Sequence, residues 1–402
     1  MDKYRWVVDN VTAACEMPDP EGSVIHPSLV KASNGDLLLF GQSYMGQRSP
    51  DHPHFDAKSY EPVVVRSRDQ GATWSEPEVA FPHPFSVGHP TVKIWGGATL
   101  KSGRMLQMCR FCSTDSKKSK TTTHPTGQIS PNGHAVVEQH GHTLPEGDWR
   151  AIISDDDGRT WSVGEPIDRR PGGMFFGNPV GGFTVLEDDT LLQPVTLYKD
   201  EKAVDGLQMS NGFFRSSDGG QTWHEPTIVA PYDERLHDLP NEMAIVVLPD
   251  GRWVALYRNQ FSRDDTGVGG NGGLWRSYSH DQGATWSVGQ HIFPTMGYTT
   301  ARLLPDGALI VMGHSPLFYA VSNNGGETWD YQNRLWGLDY RFGGDCGGFG
   351  VQNMDDGRVL IAYYGKADRS KLHDSPFEYG KMRLEVAWLK KVEADSVDAR
   401  MR

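Results

Sequence analysis

"SRDQGATW" occupies residues 67–74, and its frame, Ser-x-Asp-x-Gly-x-Thr-Trp, returns as "SDDDGRTW" from 154, "SSDGGQTW" from 216, "SHDQGATW" from 279 and "SNNGGETW" from 322. Asn324 is the one substitution for the aspartate. The starts are 87, 62, 63 and 43 residues apart, the mark of a repeated architecture. Each box follows a short strand-like run ("PVVVRS", "WRAIIS", "NGFFRS", "LWRSYS", "LFYAVS") and most precede an extended polar segment such as "SEPEVAF". Each box is therefore expected to be a hairpin turn between two strands. Its Asp would accept backbone N–H groups of its own turn, and its Gly would supply a conformation strained for other residues. Its Trp, at positions 74, 161, 223, 286 and 329, is expected to be buried between strands or blades, where truncation costs roughly 3–5 kcal/mol. The boxes read as folding devices, not as catalytic aspartates.

A second hairpin precedes every box: residues 26–40, 90–108, 181–194, 241–258 and 298–314, with a sixth at 347–364. Asn-Gly and Asp-Gly at several of these tips favour the positive φ of tight hairpin turns. The sixth unit then has "KMRLEVAWLKK" (381–391) as a third strand before the chain ends. "YRWVVDN" at the N-terminus has no other partner and would supply the fourth strand, closing a ring. Six four-stranded antiparallel units in a ring make an all-β, six-bladed β-propeller, read as one domain over 1–402 with a long insertion loop at 113–147 in blade 2.

Composition narrows the function. The formal net charge is −12 and the longest basic block is "KKSK" (117–120), which argues against nucleic acid or an anionic membrane as partner while leaving room for a small anionic ligand. No apolar run approaches the roughly 18 residues of a membrane span. "MDKYRWVVDN" lacks the apolar stretch of a secretory signal, so a cytoplasmic location is expected. The four cysteines, Cys15, Cys109, Cys112 and Cys346, are expected to be reduced. "CRFC" has no second CxxC to complete a zinc site. No metal or cofactor is expected, and the oligomeric state is open.

The repeated boxes on a six-unit frame resemble the sialidase (neuraminidase) superfamily, the Asp-box or BNR-repeat proteins. That resemblance implies a propeller whose boxes lie on the face opposite the active site. The strand order gives the same polarity here: box turns and inner-hairpin tips share one face, and the opposite face carries the starts of first strands, the ends of second strands and the starts of third strands. Those positions are His26, His89, Asn178, Asn241–Glu242, Tyr298–Thr299 and Asp345; then Arg110, Tyr198, Arg258, His314 and Tyr364; then Trp149 and Trp275. The resemblance carries over in part. Glu242 matches the glutamate that polarises the family's tyrosine nucleophile, and Arg258 resembles one of its three carboxylate-clamping arginines. His26, in "VIHPSLV", stands where the first clamp arginine would be; no Arg occurs in "HSPLFYAVS" (314–322); and Gly348 and Phe349 fall where the tyrosine is expected. A non-sialidase active site is the expectation.

Three chemistries fit these residues. In a glycoside hydrolase, exo-acting on a small oligosaccharide such as an acidic or uronate-containing one, Glu242 would work with Asp51, Asp56 or Asp345 as the second carboxylate. His26 would assist proton transfer or bind hydroxyls, Trp149 and Trp275 would stack on sugar faces, and Arg110 and Arg258 would hold an acidic group. Arg48, His89, Asn178, Tyr298, His314 and Tyr364 complete the expected binding set. In a polysaccharide lyase, His26, His89, His314 or Tyr298 would be the base and Arg258 would neutralise a uronate. A non-catalytic glycan- or protein-binding propeller is the third. The 113–147 segment carries His124, His134, His140 and His142 on the expected pocket face and reads as a polar loop. "RDDTGVGGNGG" (263–273) lacks the Lys-Ser/Thr and strand-to-helix setting of a phosphate loop.

Overall fold

The computed structural model of the protein describes residues 4–18, 22–44, 60–81, 91–112, 148–168, 174–176, 181–199, 209–232, 240–259, 261–262, 270–271, 273–293, 299–313, 318–330, 350–366 and 381–393. Antiparallel sheets stand radially as six blades. Their innermost strands are, in order, Ser23–Lys31, Thr91–Thr99, Thr184–Val185, Pro240–Val247, Thr300–Leu303 and Gly350–Asn353. Each pairs outward with a second strand: Leu37–Tyr44, Met105–Cys112, Leu191–Tyr198, Trp253–Asn259, Leu309–Gly313 and Val359–Lys366. Third strands follow at Tyr60–Ser67, Asp148–Ser154, Met209–Ser216, Leu274–Ser279, Phe318–Ser322 and Met382–Glu393. Every innermost strand contacts that of the next blade, and the sixth contacts the first, so the ring is closed. The chain is an all-β six-bladed propeller of four-stranded antiparallel blades; among the described residues blade 5 shows three strands and one bridge, Val321 to Asp330, in place of a fourth.

Closure uses the N-terminus. Tyr4–Cys15 is the outer strand of blade 6 and pairs along Met382–Glu393, from Tyr4 opposite Glu393 to Cys15 opposite Leu384. Trp6 ties that strand to blade 5: its Nε1 donates to Asp306 Oδ2 (3.2 Å), and the Tyr319 hydroxyl donates to its carbonyl (3.0 Å). Consecutive apolar residues on the middle strands, as in "LIVMG" (309–313) and "VLIAYY" (359–364), put apolar side chains on both sheet faces, and these fill the seams between blades. The seam joining blades 5, 6 and 1 holds Met312, Tyr319, Leu360, Tyr364, Leu384 and Leu39, all buried.

The box turns repeat one hydrogen-bond scheme. In the first, Gly71 N–H donates to Ser67 Oγ (2.7 Å), Ser67 Oγ donates to Asp69 Oδ1 (2.8 Å), and Thr73 donates its N–H to Oδ1 (2.9 Å) and its hydroxyl to Oδ2 (2.5 Å). The fifth turn keeps the geometry with the last donor reversed: Asn324 Nδ2 donates to Thr328 Oγ1 (2.9 Å). The turns also reach the preceding blade. A Cβ on Gly71, whose φ is +90°, would lie 2.9 Å from Leu360 and 3.0 Å from Trp388 of blade 6. The indoles differ from expectation. Trp329 is buried, whereas Trp74, Trp161, Trp223 and Trp286 are half-buried at the edge of the seams. Trp286 and Trp329 each donate Nε1 to a carbonyl of their own turn, Gly283 O (3.1 Å) and Gly326 O (2.9 Å), so that bond does not decide which indole is buried.

Candidate active site

The six innermost strands enclose a channel of about 530 Å³ along the ring axis. Aligned on the residue that closes each inner turn, position four before the turn is small in every blade: Ser28, Gly96, Gly182, Ala244, Thr300 and Gly350. The strands crowd together there, since a Cβ on Gly350 would lie 2.7 Å from the Leu29 backbone nitrogen. Larger polar side chains of the lining stand on either side of this row. His26 and Trp95 lie toward the strand starts, and Lys31, Arg302, Gln352 and Asn353 toward the box face.

At the strand starts three blades break register. The breaks fall between Ile25 and Ser28, between Ile94 and Gly96, and between Asn241 and Met243. Each inserts an extra residue that leaves the ladder and re-aims a side chain: His26 with Pro27, Trp95, and Glu242. Pro27 has no N–H to give a ladder, which suits a bulge. His26 (φ 52°) and Glu242 (φ 50°) adopt left-handed backbone. Among the described residues the other non-glycine cases, Gln70, Asp157, Asp189 and Gln282, all lie in turns. Backbone strain of this kind costs on the order of 1–3 kcal/mol per residue and persists where the surroundings enforce it. Each residue stands six positions before the inner-turn residue, Ala32 and Leu248 respectively, so they occupy the same level. Blades 1 and 4 of six are opposite one another across the axis.

The two residues sit in different surroundings. His26 is half-buried between rings, with centroids 5.4 Å from Trp95 (tilted) and 5.6 Å from Tyr364 (edge-on). Glu242 accepts at Oε2 from Arg258 Nη1 at 2.9 Å, with 12% and 9% of the two side chains exposed. Arg258 lies across the hairpin, its Cα opposite that of Asn241, and its buried Nε has no partner among the described residues. Tyr198, fully buried at the end of blade 3's second strand, has its hydroxyl pKa pushed up by burial and by the charge of Glu242. It therefore stays a neutral phenol beside the carboxylate.

The structure thus brings His26 together with Tyr364, and Glu242 with Arg258 and Tyr198. Two expected sugar platforms are placed otherwise. Trp149 is 2% exposed, inside the core behind Trp95, with ring centroids 6.3 Å apart. Trp275 turns toward the outermost strand of its blade, where it meets His291 at 5.9 Å. Third-strand starts lie too far from the axis to reach the channel, and their indoles fill the blade instead. Arg110 pairs by backbone with Lys93 and Trp149; its side chain, together with Arg48, Asp51, Asp56, His89, Asn178, Tyr298, His314, Asp345 and the 113–147 histidines, lies outside the described residues. Trp95 was not among the expected site residues. The signal for it was "WGG" at 95–97, a bulge-forming pair of glycines directly after an aromatic residue in an inner strand.

Residues 88–342 match the BNR repeat-like domain family. A sialidase of Micromonospora viridifaciens is 24% identical over 322 residues, which are 75% of this chain and 42% of that protein, so the chain spans under half the length of this curated relative. Among solved structures, a protein of unknown function from Dyadobacter fermentans superposes with a TM-score of 0.68 at 19% identity, covering 97% of this chain and 100% of that one. The Penicillium chrysogenum α-L-arabinanase, solved with arabinobiose, superposes at 0.59 and 15% identity, covering 94% and 98%. The last two likenesses are of fold: the propeller is of the kind sialidases and arabinanases share. With the family match extending over more than half of its length, the chain belongs to the BNR repeat-like domain family.

Proposed function

We propose that the protein is a carbohydrate-active enzyme, a glycoside hydrolase that works at the strand-start end of the channel with Glu242 as its essential carboxylate and His26 opposite. The observation that carries this reading is the pair of left-handed bulges on opposing blades, which hold an ion-paired carboxylate and an imidazole at one level of the ring. Strain of this kind, away from any turn, is characteristic of groups held in place for chemistry. Arg258 is already engaged by Glu242, so in this reading it positions the carboxylate and leaves Oε1, which has no partner among the described residues, toward the substrate. His26 moves a proton or holds a sugar hydroxyl. The folds of the sialidase and arabinanase relatives agree with a glycan as the ligand; an acidic sugar and an exo mode of attack are part of the proposal.

The test is digestion of a glycan library by wild type and Glu242→Gln, with products read by mass. Hydrolysis adds one water to each cleaved bond. Turnover is expected to fall about 10³-fold in the variant, within the range for loss of a positioned acid–base group. The amide keeps an acceptor for Arg258 but not its counter-charge, so the unfolding midpoint drops by a few degrees and assays belong well below it. Full turnover in Glu242→Gln would remove that residue from the chemistry. A product without added water that absorbs in the near ultraviolet would assign an elimination with His26 as base. No turnover on any glycan would leave a binding propeller.

A further inference from the structure

The strand-start end of the channel has two unlike sides. Blade 4 carries the ion pair of Glu242 with Arg258. Blades 1 and 2 carry rings: His26 and Trp95 both line the channel, both are half-buried, and their centroids are 5.4 Å apart. Each of these rings rests on another that solvent does not reach, Tyr364 against His26 and Trp149 against Trp95. The wall they form is therefore fixed before a ligand arrives, which lowers the ordering cost of binding.

Blade 2 packs its inner strand through other residues. Ile94 and Ala98 fill the cores on its two sides, and the register break between Ile94 and Gly96 takes Trp95 out of the ladder. The backbone of blade 3 closes in at the next position, where a Cβ on Gly96 would lie 3.1 Å from Gly182 Cα, so residue 95 carries the large side chain of the bulge. Part of the indole packs on the core around Trp149. Its Nε1 is buried, so the part that meets the channel's water is carbon. Covering such a surface is favourable, and a sugar ring has the matching shape: C–H bonds on a face, hydroxyls around the rim. We propose that Trp95 is the sugar-binding platform of the site, with a ring of the substrate lying by its C–H face on the indole and its hydroxyls reaching His26 beside it and Glu242 across the axis. This deepens the glycoside-hydrolase reading and rests on it.

Fluorine NMR of the full chain labelled with 5-fluorotryptophan tests this. The chain has 12 tryptophans, and the Trp95 resonance is the one missing from Trp95→Phe. The probes are the neutral and uronate-containing di- and trisaccharides of the glycan library, added singly, with hydrolysis of each followed in parallel. The Trp95 resonance is expected to move saturably with the glycan that is cleaved. For that glycan Trp95→Ala should raise the half-saturating concentration and KM about tenfold, the worth of the apolar area lost, while kcat changes less than about threefold, as for uniform binding. Trp95→Tyr should recover most of the loss. Cleavage with an unmoved Trp95 resonance would overturn the platform and leave the hydrolase standing. A resonance that moves with a glycan when none is cleaved would keep the platform and remove the hydrolase. No movement and no cleavage would end both. A lower thermal midpoint in Trp95→Ala with unchanged half-saturation would make the indole a packing residue only.

Discussion

His26 shows how much a single backbone angle carries. An L-residue in left-handed conformation is roughly 1–2 kcal/mol less stable than in its ordinary conformation, whereas glycine is nearly indifferent. His26→Gly and His26→Ala remove the same ring contacts with Trp95 and Tyr364, so their difference isolates the backbone. The glycine variant should be the more stable by about 1 kcal/mol in denaturant unfolding, and both should lose turnover. Equal stabilities would mean that the bulge is not strained. At Arg258 the relevant quantity is charge. Arg258→Met leaves the Glu242 carboxylate largely buried without its partner, a loss of about 3–5 kcal/mol, visible as a lowered denaturant midpoint. Glu242 and Arg258 were legible together because a hairpin places their neighbourhoods opposite each other. Trp95 was not, because only the pairing with the second strand reveals which residue a bulge ejects.

The Asp box is the element that repeats, and its chemistry predicts an acid response. The Asp69 carboxyl is held down to about 2, chiefly by the Thr73 hydroxyl and then by the Thr73 N–H, and Asp281 is held to about 2 by Thr285 in the same way. The folded value lies below the unfolded one, near 3.9. The stabilisation is therefore complete above about pH 4 and is lost as the pH falls toward 2. Asn324 shows that an amide satisfies the same turn without a titrating group. The double variant Asp69→Asn, Asp281→Asn should therefore show a shallower fall of thermal midpoint between pH 4 and 2 than wild type. Parallel profiles would show that these turns do not set the acid limit. The five tryptophans hold equivalent positions in the repeated box, yet only Trp329 is buried, because burial depends on how far the neighbouring blade covers each turn.

For the whole molecule the governing event is closure. The first strand of the chain completes the last blade, so the two ends of the sequence are joined by a ladder from Tyr4–Glu393 to Cys15–Leu384. The pairing covers the edge of Met382–Glu393 and leaves Tyr4–Cys15 as the outer strand of the blade. Trp6, 4% exposed and bonded to Asp306, anchors the strand to blade 5. Trp6→Ala should cost roughly 3–5 kcal/mol, and the loss should appear in hydrogen exchange as faster opening of Tyr4–Cys15 and Met382–Glu393 together. Faster exchange in Tyr4–Cys15 alone would mean that the strand is an attachment and not part of the closing blade.

The sequence by itself determined the repeat, the turns, the six inner hairpins and the closing strand. Each of these rests on local chemistry: a side chain bonding its own turn, a glycine at positive φ, an apolar run of strand length. The tertiary structure alone decided which side chains meet at the axis. It set Trp149 and Trp275 into the blades and brought Trp95 and Tyr364 around His26. Those outcomes depend on bulge register and on the spacing between blades, which arise from contacts between segments far apart in the chain.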